Sequence, residues 1–328
     1  MQRTPMVIDT DGGTDDAVAL WWALTDPRVE LLGVVVTWGN VELPVAAANV
    51  CRILHAAGRP DIPVALGAHG PLGPSPLPER PRHVHGDDGL GGHADRWPVG
   101  DIEPMSEPVA ERLARLAAAR PGEMALVTIG PLSSLAGALQ ADPTLAGGFA
   151  SLTVMGGAVG VPGNALPLGE ANIAHDPEAA AVVLAATWPD PPLLVGLDVT
   201  LRAVLADDDL ALADEGRTPA AEMLAAPLRF YAGFYAGSAQ TAPGTTACHD
   251  LLAALAVVEP AVLTEVATLP LAVDTGRSAA WGATVADRRA RPQTQTQLPG
   301  FHPCRVAVDV DAERFRAVFR KLCGDPAT

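Results

Sequence analysis

The chain is poor in positive charge. Lys321 is the only lysine among 328 residues, and 22 basic against 38 acidic side chains leave a formal net charge of −16. Nucleic acid and anionic membranes both require a basic surface, so neither is expected as a partner; small cations and neutral molecules fit better. Long apolar runs are missing too. The 48% hydrophobic content is broken into short stretches, none near the roughly 18 uninterrupted residues of a membrane span. No basic, apolar, small-residue leader precedes the first apolar run, and a soluble, cytoplasmic protein is expected. Cysteine is sparse: Cys51, Cys248, Cys304 and Cys323 are scattered without a CxxC pair, which argues against a zinc ribbon or a disulfide framework.

What is present is enough apolar material for a real core, since a chain of roughly 300 residues can bury about three quarters of its unfolded surface. Short β-rich runs alternate with helical patterns. Strands are expected at 29–37, 124–129, 152–155 and 193–197, and helices at 45–57, 132–140 and 176–187. Further strands follow around 268–273 and 305–310, then a helix over 311–322. This alternation predicts an α/β fold with a mostly parallel, mixed central sheet, open and Rossmann-like, flanked by helices. Two stretches interrupt it. Residues 67–104 are dense in glycine, proline and histidine and too long for an ordinary connection, so they read as a loop over the site. Residues 207–247 read as a helical and loop insertion. One elaborated domain over 1–328 is expected.

The stretch VIDTDGGTDDAVAL, residues 7–20, places Asp9, Asp11, Asp15 and Asp16 at a strand-to-helix turn. Asp15 and Asp16 could simply occupy the first turn of a helix. Yet two carboxylates about 4 Å apart repel by about 4 kcal/mol at an effective dielectric near 20, while a helix terminus returns only about 0.3–1 kcal/mol per acid. A bound cation is the stronger remedy. Asp9 and Asp11 are two apart on a strand and share a side, with Asp11 nearer the carboxyl end, where ligands bind in open α/β sheets.

Other strand ends carry polar residues: Thr37-Trp38-Gly39-Asn40, Ile129-Gly130-Pro131-Leu132, Gly163-Asn164, Gly169-Glu170-Ala171-Asn172 and Cys248-His249-Asp250. Singly, Asn40 reads as a turn residue, His249 as a capping or core histidine and Asp250 as an N-cap. Together they resemble the nucleoside hydrolase family, the inosine-uridine preferring ribohydrolases. DTDGGTDD is similar to that family's DTDPGxDD, with Gly12 at the proline position. IGPLSSLA resembles GPLTNLA, GEANIAHDPEAA resembles the E-x-N segment ending in DPEAA, and His249-Asp250 resembles the late HD pair.

The resemblance implies a Ca²⁺ ion held by Asp11, Asp16, Asp250 and the carbonyl oxygen of Ile129, an all-oxygen set suited to a hard cation. It implies a ribonucleoside substrate whose sugar is fixed by Asp15, Asn40, Asn164, Glu170 and Asn172, with Asp9 in support. Asp11 would take a proton from the attacking water and His249 would protonate the leaving base. His85, in a segment similar to the family's HGxxGL loop, would touch the base or the 5′ hydroxyl. Ala171 stands where many members carry a stacking phenylalanine, so base contacts fall to residues such as Trp38, Tyr231 or Tyr235, and purine or pyrimidine preference stays open. A homodimer or homotetramer is implied as well. Two rivals are weighed. Asp9-Thr10-Asp11-Gly12 also evokes haloacid dehalogenase-like phosphatases, but Gly13 stands where their threonine is needed and Lys321 lies too near the terminus to serve. The other is a ribose- or nucleoside-binding protein on the same fold that has lost hydrolysis.

Overall fold

The computed structural model describes residues 3–77, 79–289 and 298–324. Among them the main sheet has nine strands. The strands are β1 (Thr4–Thr10), β2 (Val29–Val36), β3 (Val64–Leu66), β4 (Ala125–Thr128), β5 (Ser151–Met155) and β6 (Leu193–Val195), then β7 (Val204–Ala206), β8 (Thr245–Ala247), β9 (Glu265–Val273), β10 (Thr284–Ala286) and β11 (His302–Asp309). The order across the main sheet is β10-β9-β11-β6-β5-β4-β1-β2-β3, with β7 and β8 forming a separate pair.

From β3 to β6 every pairing is parallel, and β11 continues parallel to β6. The order 3-2-1-4-5-6 is that of a doubly wound sheet, whose crevice opens between β1 and β4, where the strand order reverses. The antiparallel additions are β9 against β11 and β10 against β9. β10 is not among the strands expected from the sequence.

Alternation along β1 divides the core. Met6 and Ile8 join Leu20, Trp21 and Val50 in one apolar cluster, whereas Val7 joins Val35, Leu126 and Leu135 in the cluster on the opposite face. Each such side chain contributes about 1.5–3 kcal/mol by leaving water. Asp9 and Asp11 continue the phase of Val7, and beyond the last paired residues the layers part to form the crevice. The helix Thr14–Thr25 packs against the helix His249–Val258. Residues 249–256 of the latter are all buried, as expected for a helix apolar on every side. That contact carries His249 and Asp250 to the end of β1. All four cysteines are buried and free, and no helix among the described residues is long and apolar enough to cross a membrane.

Candidate active site

Asp16 is the best anchored of the acids. Its carboxylate accepts hydrogen bonds from the Asp11 amide at 3.1 Å, the Gly13 amide at 2.9 Å, the Asn40 side-chain amide at 3.3 Å and the Thr10 hydroxyl. The turn supplying those amides needs Gly12, which adopts φ +73°. Asp11 is gripped by one residue: the Asn40 backbone amide donates to Oδ2 at 2.7 Å and its side chain to Oδ1 at 3.0 Å. Gly39 makes this approach possible, since a Cβ there would lie 2.0 Å from Asp11 Oδ2.

Oxygens of Asp15, Asp16 and Asp250 lie within 4.8 Å of one another, and all three residues are buried. The triplet contains Asp15, which the resemblance assigns to the sugar. Asp11 stands beside Asp16 with both oxygens turned to Asn40. Burial, and after it the Asp16 charge, pushes the Asp15 carboxyl up to about 7. The Asp11 carboxyl is raised by burial and then by Asp16, and that of Asp250 by burial and then by Asp15 and Asp16. Burial followed by the Asp16 charge likewise raises Asp9, whose Oδ1 has no hydrogen-bond partner. Among the described residues no arginine or lysine forms an ion pair with Asp11, Asp15, Asp16 or Asp250. Buried carboxylates with no counter-charge and only oxygen donors fit a hard cation such as Ca²⁺, so the cluster can hold a metal ion.

A cavity of about 320 Å³ opens above these acids, and its lining includes Asp15, Asn40, Ile129, Asn164, Glu170, Asn172, His249 and Asp250. Asn172 donates from Nδ2 to the carbonyls of Ile129 and Met155, both at 3.1 Å, which fixes the Ile129 carbonyl and leaves its own Oδ1 free to accept. Glu170 fastens the loop: Oε1 accepts from the Asn172 amide at 2.9 Å, and Oε2 from the amides of Gly157 at 3.0 Å and Ile173 at 3.1 Å. Asn164 Oδ1 accepts from the Ala171 amide at 2.9 Å, so its amide nitrogen is the group left for a ligand. His85 Nδ1 accepts from the Thr14 amide at 3.2 Å, which puts the ring proton on Nε2. The ring stacks on Tyr231 with centroids 5.1 Å apart, and burial pushes its pKa down to about 3.

His249 sits in a hydrogen-bonded chain that sequence reasoning missed. Nδ1 meets Thr200 Oγ1 at 2.7 Å, Nε2 meets the Tyr235 hydroxyl at 2.7 Å, and Tyr235 lies 3.4 Å from the Tyr231 hydroxyl. Burial pushes the imidazole down to about 4 and raises both phenols. The available signal was the spacing of Tyr231 and Tyr235, one helical turn apart on Pro219–Ala236. Both tyrosines line the cavity. Trp38 does not; its indole nitrogen donates to Ser133 Oγ at 3.0 Å.

A crevice at the switch point, floored by carboxylates without counter-charges and flanked by a histidine–tyrosine chain, is the layout of an enzyme acting on a small polar molecule. Comparison with known proteins makes the class specific. The family model "Inosine-uridine preferring nucleoside hydrolase" matches residues 6–317, so the chain belongs to that family and is a nucleoside N-ribohydrolase. It is 30% identical over 327 residues to "Probable uridine nucleosidase 1" of Oryza sativa subsp. japonica, covering 99% of this chain and 98% of the other. It is 32% identical over 312 residues to "Pyrimidine-specific ribonucleoside hydrolase RihA" of Klebsiella pneumoniae (strain 342), covering 95% of each. The solved structure "Plant nucleoside hydrolase - PpNRh1 enzyme" superposes with a TM-score of 0.90 at 31% identity, covering 98% of this chain and 99% of that one. This match sets aside the phosphatase alternative.

Proposed function

We propose that the chain hydrolyses the N-glycosidic bond of ribonucleosides in a calcium-dependent reaction, with uridine and other pyrimidine ribonucleosides as preferred substrates. The convergence of the Asp15, Asp16 and Asp250 oxygens beneath the cavity carries the metal part of this reading. The names of the rice and Klebsiella relatives support the pyrimidine part. Asp11, Asp16, Asp250 and the Ile129 carbonyl would hold calcium, which would supply positive charge that offsets the acids and attracts sugar hydroxyls; Asp15, whose oxygens lie within 4.8 Å of those of Asp16 and Asp250, could join that set.

The chain's own groups supply the rest. Asp11, aimed by Asn40 and raised in proton affinity by burial, takes the proton of the attacking water. Bond cleavage builds positive charge on the ribose ring, and the surrounding carboxylates stabilise it without having to reorganise. Asn40, Asn164 and Asn172 hold the sugar, each through the amide atom its internal hydrogen bonds leave unengaged, while Glu170 keeps their loop in place. The leaving base receives its proton from the His249–Tyr235 pair. A homodimer or homotetramer in the cytoplasm belongs to the same reading. The test is release of free ribose from uridine, cytidine and inosine, before and after chelation and with calcium restored. Ribose released at the same rate in chelator would overturn the calcium dependence, and faster turnover of inosine than of both pyrimidine ribosides would overturn the preference.

A further inference from the structure

A second cavity of about 560 Å³ adjoins the first, lined by Trp38, Leu77, Glu79, Arg80, Arg82 and His175. Leu77, Glu79, Arg80 and His175 line both, so these four residues are the partition between the candidate active site and its annex. His175 is the unusual member. It ends the short helix Ala171–His175 and is 3% exposed. Its Nδ1 lies 2.7 Å from the Ala171 carbonyl. A carbonyl can only accept, so Nδ1 carries the ring proton and Nε2 presents a bare lone pair. No protein group hydrogen-bonds to Nε2, which is itself buried. Burial, with the Arg80 charge adding to it, pushes the ring down to about 4, so it stays neutral at physiological pH. The Arg80 Nε–H is likewise buried without a partner.

A buried acceptor with no donor costs about 1–3 kcal/mol, and cores rarely keep one without a use. Packing does not demand a histidine here. The ring stands edge-on to Trp38, at 5.4 Å between centroids and 80° between planes, a contact that phenylalanine would make equally well. Arg80 is held at its far end by an ion pair with Glu42 at 2.6 Å, whose side chains are 31% and 61% exposed. Such a tie is worth little, so the Arg80 side chain can swing aside and bring Nε2 into the joined cavities.

We propose that His175 is a specificity-determining residue whose Nε2 accepts a hydrogen bond from an N–H or O–H of the bound nucleoside remote from the scissile bond, with Arg80 as the movable half of the partition. Two groups on a nucleoside have this chemistry, the imide or amino N–H of the base and the 5′ hydroxyl. The proposal rests on the nucleoside hydrolase reading above but not on which base is preferred.

The experiment measures kcat and KM for whichever of uridine, cytidine and inosine is cleaved fastest. It repeats them with the analogue of that nucleoside methylated at the base N–H (3-methyluridine, N4,N4-dimethylcytidine or 1-methylinosine) and with its 5′-deoxy analogue. The ranking of parent nucleosides tests the pyrimidine reading; the response of variants to the analogues tests this one. In the natural enzyme one analogue is expected to lose roughly 10-fold in kcat/KM, carried by KM. His175→Phe, which keeps the ring packing on Trp38, loses about the same factor on the parent and nothing further on that analogue. Loss on the methylated base assigns the donor to the base edge, and loss on the 5′-deoxy compound assigns it to the sugar. His175→Gln, which returns an acceptor, regains part of the discrimination, and it decides the matter should the phenylalanine variant be inactive. The proposal is overturned if His175→Phe discriminates against both analogues as the natural enzyme does, or if neither analogue is discriminated against at all.

Discussion

The sharpest perturbation is Asp250→Asn, because its effect on stability should change sign with calcium. The Asp250 carboxylate faces the charges of Asp15, Asp16 and Asp11 and shares a hydrogen bond with Asp16. At 4.8 Å, the limit that encloses the three oxygens, a pair of unit charges repels by about 3.5 kcal/mol at an effective dielectric near 20. Protonation relieves part of this, since Asp15 titrates at about 7 and Asp250 is raised as well. Roughly 1–3 kcal/mol of repulsion is then left at neutral pH. Asparagine removes one charge at nearly constant volume, and its amide can donate to the remaining acids. In chelator the variant should therefore be more stable than the natural protein by about 1–3 kcal/mol, seen as a melting rise of roughly 1.5–4 °C. With calcium at about 100 times its dissociation constant the natural protein gains about 2.7 kcal/mol. The variant, short of one ligand, gains much less, so the order inverts. Urea unfolding and thermal melts in both conditions supply the four numbers. An equal destabilisation of the variant with and without calcium would refute the reasoning, because it would mean that Asp250 acts through ordinary packing.

Gly12→Pro would install the residue that the family signature carries there, yet it should disrupt this chain: proline requires φ near −65° and Gly12 has +73°. A loss of about 3 kcal/mol or more is expected, and a melt within a degree or two of the natural protein would show that the turn can rebuild. Arg28→Ala tests a distant pair of ion pairs, to Asp26 and Glu259, both at 2.7 Å. Burial alone would raise those two carboxyl groups, but Arg28 at Asp26, and Arg28 together with Arg314 at Glu259, outweigh it and hold both below their usual values. A depressed folded pKa stabilises above the unfolded value near 4 and is lost as pH falls through the folded value. The variant should thus be about 0.5–1 kcal/mol less stable at pH 7, with the deficit shrinking below about pH 3; a deficit that does not change with pH would refute it.

The sheet was legible because its signal is local. Met6-Val7-Ile8 is apolar on both faces, and the helices between strands carry their own period, so the parallel order and the crevice follow from chain direction. The acids were legible because their number exceeds what a helix start can stabilise. Hydrogen bonds inside the site were not readable. That Asn172 holds the Ile129 carbonyl, that Glu170 is occupied by three backbone amides, and that His249 meets Tyr235 depend on where loops from distant parts of the chain come to rest. His175 has no signal of its own in the sequence, where it directly precedes the helix expected at 176–187, and only the adjoining cavities give its bare nitrogen a setting.

The acids that look alike in sequence are divided by what surrounds them. Asp16 lies inside the turn and takes two backbone amides, a hydroxyl and the Asn40 side chain, so its charge is stabilised by the fold itself. Asp11 takes two donors from Asn40, enough to aim it and too few to keep its proton affinity down. Asp250 arrives on another helix and faces the charges of Asp15, Asp16 and Asp11. One motif therefore yields carboxylates in different settings: Asp16 is held by the turn, Asp11 is oriented by Asn40, and Asp15 meets the His249 amide and the Tyr231 hydroxyl from across the crevice. The repulsion left between them is what a bound cation, or positive charge developing on a substrate, would relieve. A site that departs from stability rules at those carboxylates, inside a sheet that otherwise obeys them, shows where the chemistry sits.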